Sequence, residues 1–313
     1  GISGHGVPYS KIIGNIVYKN GGEGIGAVGE GAIISDNIVF DNWSVNIYVC
    51  NEKNVIIERN LIYCHDPDSN ELYNNGDKNP KDGKNLRRLR AEGIMTADET
   101  SPATLQNVRI INNIIIGCRR GITHYSGTKG SGMKDVLVAH NTIVVPNAKG
   151  IDEEYVGIKI PYNDGNNANT VFRNNIVYAT HPSTYLLHIK TDPLNLHKPL
   201  HGLLFDHNFW YHLSKKKPFH VGPAWVRSND MDFITWLKKV NYPEQEKESK
   251  FSDPGFTDNE AFTAGNVKLI ADSKAIDAGA IIVGIANDYN DNPRSDGFPD
   301  IGAFEFVKKD KEN

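Results

Sequence analysis

Five side chains of this 313-residue chain recur at outward positions of one repeated strand: Tyr48, Tyr125, Lys159, His188 and Lys190. Their types suit proton transfer next to an anion. A lysine crowded by a second cation loses its proton nearer neutrality and becomes a base, and Lys190 is placed to do this to Lys159. Tyr125 and His188 are placed to pass a proton to a leaving oxygen. Tyr48 and Lys190 form a binding set with Arg87, Arg88 and Arg90, whose guanidinium forks match carboxylates two-point. Asp98, Glu99, Asp152 and Glu154 border the same face and are hard oxygen donors of the kind Ca2+ takes. One reaction uses this set well: a base removes the proton α to a carboxylate while nearby cations offset the enolate-like charge. A second is glycoside hydrolysis by paired carboxylates, for which Asp98 with Asp152 or Glu154 is the best pair available.

Such a set needs a scaffold that repeats. The phrase Ile-x-x-Asn-x-Ile-Val-Tyr recurs around Asn15, Asn37, Asn60, Asn113, Asn141, Asn175 and Asn208, at spacings of 22, 23, 53, 28, 34 and 33 residues. A unit of 22 residues with variable additions predicts a solenoid. Its short runs of Ile and Val alternate with period two, which is strand patterning. Val55–Arg59 is one strand, Leu61–Tyr63 the next, and Asn60 makes the bend, since Asn tolerates left-handed backbone. Stacked Asn side chains are expected to bond along the rod. A third strand follows, often opened by Gly, and aligns on Ile25, Ile47, Ile94, Ile122, Ile158 and Leu187. With those residues inward, the five chemical side chains project outward. His124 falls inward, as a core histidine. His140 and His207, each just before a repeat Asn, read as structural.

Three-strand coils of this length with an Asn bend resemble the right-handed parallel β-helix of pectate lyases and related polysaccharide-active proteins. The fold expected is therefore all-β, a parallel β-helix over residues 1–225. Gly1–His5 already reads as a third strand, so a capping coil is expected ahead of it. Residues 226–313 are expected to be a capping segment on the last coils, with one short helix near Asp230–Lys239. Ser273-Lys274-Ala275-Ile276-Asp277-Ala278-Gly279 and Asp300-Ile301-Gly302-Ala303-Phe304-Glu305 resemble the terminal module of secreted bacterial β-helix proteins. Asp288–Asp296 is read as turns rather than a calcium loop.

The net charge of −4 gives no support to general nucleic-acid binding, and no apolar run reaches membrane-spanning length. Cys50, Cys64 and Cys118 lack metal-ligand spacing; Cys64 and Cys118 are expected to be buried packing residues. Two insertions, His65–Arg90 and Asn147–Tyr155, bring charged residues to the third strands. The resemblance implies an extracellular protein acting on an acidic, uronate-containing polysaccharide, a lyase first, with calcium as the cofactor such lyases use. A glycosidase on the same groove is the enzymatic alternative. An adhesive, carbohydrate-binding or filament-forming rod is the non-enzymatic one, with a further N-terminal segment or neighbouring subunit at the first coil.

Overall fold

The structure, a computed structural model, describes residues 1–65, 90–145, 155–162, 166–192, 200–223, 226–240, 245–258, 263–294 and 297–307. Within them the chain winds through three parallel sheets of nine, seven and eight strands, and successive coils add one strand to each. The expected parallel β-helix is present. Eight third strands and the antiparallel Asp230–Met231 form the nine-stranded groove sheet, which begins with Ile2–His5 and includes Glu92–Asp98, Arg120–Ser126, Val156–Pro161 and Tyr185–Lys190.

Each sheet stacks like residues. Ile25, Ile47, Ile94, Ile122, Ile158, Leu187 and Phe219 pair in one unbroken register, so the alignment made on the sequence holds strand by strand. All seven are buried, and each fully buried aliphatic side chain contributes roughly 1.5–3 kcal/mol. The core changes from aliphatic to aromatic toward the last coils, where Phe205 and Phe219 meet Trp236 of the helix Phe233–Val240 at 5.8 and 5.6 Å between ring centres. This helix, started by an Asp232 Oδ1 bond to the Thr235 N–H (2.7 Å), thus closes the end of the hydrophobic column.

The Asn ladder runs as one hydrogen-bonded line. Each Nδ2 donates to the next Oδ1, from Asn15 through Asn37, Asn60, Asn113, Asn141 and Asn175 to Asn208, at 2.9–3.0 Å. One detail of the sequence reading is corrected. The left-handed residue is not the ladder Asn but the residue before it: Gly14, Asp36, Arg59, Asn112, His140, Asn174 and His207 all have positive φ. The ladder Asn is thereby turned inward, while its predecessor projects from the corner.

Those projecting residues anchor the rest of the C-terminal segment, which runs back along the side of the rod as a strap. Phe256, Val267, Leu269, Ala275, Ile301, Ala303 and Phe304 cover the outer face of Ile114, Ile116, Val144, Ile176, Tyr178 and Phe209. Asn174 exchanges two bonds with Ala280, Asn112 donates to the Asn287 carbonyl, and the His140 imidazole donates from Nδ1 to the Asp300 carbonyl (3.1 Å). The Arg294 side chain of the strap is buried against the rod, bonded to Glu305 (2.6 Å), Asn112 and Gly302. The segment expected as a cap therefore divides its work: the helix covers the end and the strap covers one flank. Asp288 spends both carboxylate oxygens on the turn, accepting from the N–H groups of Asn290, Asn292 and Glu305.

Candidate functional site

The outer face of the groove sheet carries an open depression of about 660 Å³. It crosses the strands Arg120–Ser126, Val156–Pro161 and Tyr185–Lys190, and Tyr125, Lys159, Lys190, Arg120, Asp192 and Pro223 line it. The Gly that opens three of the third strands has a packing reason. A Cβ at Gly93, Gly121 or Gly157 would lie 2.3–2.7 Å from Ile115, Ile143 or Val177 of the neighbouring sheet. Gly there lets the corner close tightly and sets the outward residues at one height in every coil.

Register then explains which side chains meet. Tyr48, Met95, Thr123, Lys159, His188 and His220 form one outward column. Tyr125 belongs to a second, with Cys50 and Ala97, and Lys190 pairs with Pro161. Tyr125 and Lys190 are exposed, and Lys159 is half-buried between its neighbours.

Electrostatics single out Lys159. Burial first, then Arg120 and Lys190, lower its pKa from 10.5 to about 7, with Glu92 opposing. The neighbour effect read from the sequence is thus joined by a larger one, desolvation by the walls. Arg120 is itself ion-paired with Glu92 beside the groove. The sequence reading overlooked Arg120. It stands two residues before the aligned Ile122, where alternation counts it as inward, so the repeat gave no signal that its long side chain reaches the groove. Pro223 was missed because it comes from the return after the last strand, outside the repeat.

His188 sits under the groove wall rather than in the groove. It is fully buried, with Nε2 donating to the Gly222 carbonyl at 2.7 Å, and burial lowers its pKa to about 4. Next to it His220 lies between Asp230 Oδ1 (2.7 Å from Nδ1) and the Pro223 carbonyl (3.0 Å from Nε2). The two histidines hold the Gly222–Pro223 wall. A neutral, buried His188 is a positioning residue in this arrangement, not a proton donor to a ligand. His124 is inward as expected, 3.1 Å from both Thr96 Oγ1 and Ser131 Oγ, with burial lowering its pKa to about 4.

The other residues singled out lie elsewhere. Tyr48 shares the Lys159 column but is buried with Val45, Cys50 and Ala97, away from the groove lining. Arg90 turns into a corner, donating to the Gly117 carbonyl (3.1 Å) beside the Tyr155 ring. Asp98 is buried and accepts at Oδ1 from the N–H groups of Thr104 and Leu105 (both 2.9 Å), which ties down its own turn. Glu99 is exposed on the same turn, its N–H bonded to Asn51 Oδ1. Arg87, Arg88, Asp152 and Glu154 lie outside the described residues.

Among the described residues no three His, Cys, Asp or Glu side chains converge as a metal site. Asp98 spends Oδ1 on backbone donors of its own turn. Among the same residues no helix is long and apolar enough to cross a membrane. No family model matches the chain, and no curated protein matches it.

Proposed function

We propose that this β-helix is a secreted protein that acts on an acidic, uronate-containing polysaccharide, cleaving it by β-elimination. The observation that carries the reading is Lys159, a groove lysine with a pKa of about 7 beside the cations Arg120 and Lys190. An amine that is largely neutral near pH 7 can take a proton, and fixed positive charge next to it favours the anion that results. The resemblance of the repeat to pectate lyases, and of the C-terminal motifs to the terminal module of secreted bacterial β-helix proteins, supports this reading.

In this scheme a uronate carboxylate pairs with Arg120 and Lys190. Lys159 Nζ removes the proton α to that carboxylate, and the electron pair delocalises onto the carboxylate oxygens. Collapse of this anion forms the ring double bond and breaks the bond to the glycosidic oxygen, which takes a proton from the Tyr125 hydroxyl. The products are an unsaturated uronate end and a free hydroxyl end. Hydrolysis is less well supported, since it needs two carboxylates across the bond and Asp192 is the one carboxylate lining the groove among the described residues.

The test is absorbance in the unsaturated-uronate band with pectate, alginate and glycosaminoglycans, each with added calcium and with chelator. Absorbance should grow with at least one substrate, and kcat/KM should rise through about pH 7 as Lys159 deprotonates. Lys159→Ala should abolish turnover, while Arg120→Ala should lower kcat as well as weaken binding. Silence on every polyuronate under both conditions refutes the lyase. Binding without turnover would instead favour the carbohydrate-binding rod.

A further inference from the structure

A second line of side chains runs along the corner that leads into the groove sheet. Asn20 Nδ2 donates to Asn42 Oδ1 (2.7 Å) and Asn42 Nδ2 to Asn46 Oδ1 (2.9 Å). There the amides stop and two thiols continue the line. Asn46 Nδ2 lies 3.3 Å from Cys64 Sγ and 3.6 Å from Cys118 Sγ, and the two sulfurs are 3.0 Å apart. Both cysteines are buried. They follow the register-paired strands Leu61–Tyr63 and Ile114–Ile116, Cys64 directly and Cys118 after Gly117, and so sit on neighbouring coils whose strands are about 4.8 Å apart.

We propose that Cys64 and Cys118 are a disulfide site, forming one cross-coil bond under oxidising conditions and leaving Cys50 as the single free thiol. Three observations favour a bond over a chance contact of packed thiols. The sulfurs already face each other along the line of the ladder, so closure needs a shift of roughly 1 Å, to the ~2.05 Å of an S–S bond. A buried metal is the other common use of paired cysteines, yet no third His, Cys, Asp or Glu joins them among the described residues. The pair also brackets the largest insertion, since Cys64 lies just before it and Cys118 one coil later, 54 residues apart in sequence. A bond here would fasten the coil before the insertion to the coil after it, behind the groove strand Glu92–Asp98.

The chemistry balances with a low-molecular-weight disulfide as oxidant. The Cys64 thiolate attacks it and releases one small thiol; the Cys118 thiolate then attacks the Cys64 sulfur of the mixed disulfide and releases the second. Burial of both sulfurs requires that exchange take place during folding or in a local opening, and protects the bond afterwards.

The experiment uses the whole chain, refolded in a glutathione redox buffer and again with reductant throughout. The oxidised protein should be two hydrogens lighter by intact mass and titrate one thiol when denatured, and its non-reduced digest should contain a Cys64–Cys118 peptide. Cys50→Ala should leave that peptide intact, and the thermal midpoint of wild type should fall by several degrees on full reduction. Three titratable thiols after oxidative refolding, or a link that includes Cys50, would overturn the assignment. Cys64→Ser puts a hydroxyl into a buried site, so the thiol count of wild type decides the question without that variant.

Discussion

Asn141→Ala tests the ladder where it is most enclosed. The Asn141 side chain accepts from the backbone N–H and Nδ2 of Asn113 (3.0 Å each) and donates to the Ile110 carbonyl (2.8 Å), the Ala139 carbonyl (3.1 Å) and Asn175 Oδ1 (3.0 Å). Alanine removes all five bonds. Some partners keep another: Asn113 Nδ2 still reaches the Ile57 and Ile111 carbonyls, and Asn175 Oδ1 still accepts the Asn141 N–H. The Asn113 N–H is left without its side-chain acceptor in a fully buried corner. An orphaned buried donor costs roughly 1–3 kcal/mol, and the net loss of the remaining bonds brings the total to about 3–5 kcal/mol. At the first rung Asn15 is half-exposed and donates to Asn37 and Ile13 where water can substitute, so Asn15→Ala should cost under about 1 kcal/mol. Urea unfolding of both variants, followed by circular dichroism and by fluorescence of the buried Trp210 and Trp236, gives the comparison. If Asn141→Ala costs no more than Asn15→Ala, the ladder does not act as a buried network and the reasoning fails.

Three further outcomes follow from buried charge. Burial raises Glu246, which accepts from the indoles of Trp210 and Trp236, from 4.5 to about 7. Between those pH values the folded protein keeps a proton the unfolded chain has lost, so stability falls as pH rises, and Glu246→Gln should flatten that slope in urea melts. Lys159 has the opposite sign. Its folded pKa is about 7 against 10.5, so the penalty is full below pH 7 and fades as pH rises toward 10.5; Lys159→Met should be most stabilising, relative to wild type, at pH 6 and least at pH 10 or above. Arg294→Ala strands Glu305 in a buried site and should cost about 3–5 kcal/mol, with limited proteolysis cutting the strap while the rod keeps its strand signal; a protease-resistant variant would refute the strap's dependence on Arg294.

The fold could be read because repetition averages out local ambiguity. A single Ile-Val run can be helix or strand, but seven copies around a phased Asn admit one geometry, and the alignment on Ile47, Ile94 and Ile122 matches the pairing residue for residue. The groove sheet face was legible for the same reason. What could not be read was everything contributed by segments outside the repeat. His188 was counted as outward, and it is, yet Gly222 and Pro223 come over it and remove it from the groove. Arg90 and Asp98 were placed at the groove by their proximity in sequence, whereas backbone groups at Gly117 and Leu105 claim them. Alternation gives a side chain's face, not what later folds across it.

The corner before each ladder Asn has a consequence for how such a rod can change. From Ile13 to Ile16, Ser35 to Ile38, Glu58 to Leu61 and on to Asp206 to Phe209, two residues always make this turn, with no addition in any of seven coils. Every length difference between repeats falls at the other two corners, on either side of the groove sheet. The molecule thus separates an invariant spine, keyed by left-handed residues and splinted by the strap, from a margin where loops of any length can be added without disturbing register. Loops at that margin should be exchangeable as cassettes, so that new ligand preferences could be grafted beside Lys159 while the opposite edge continues to specify the fold.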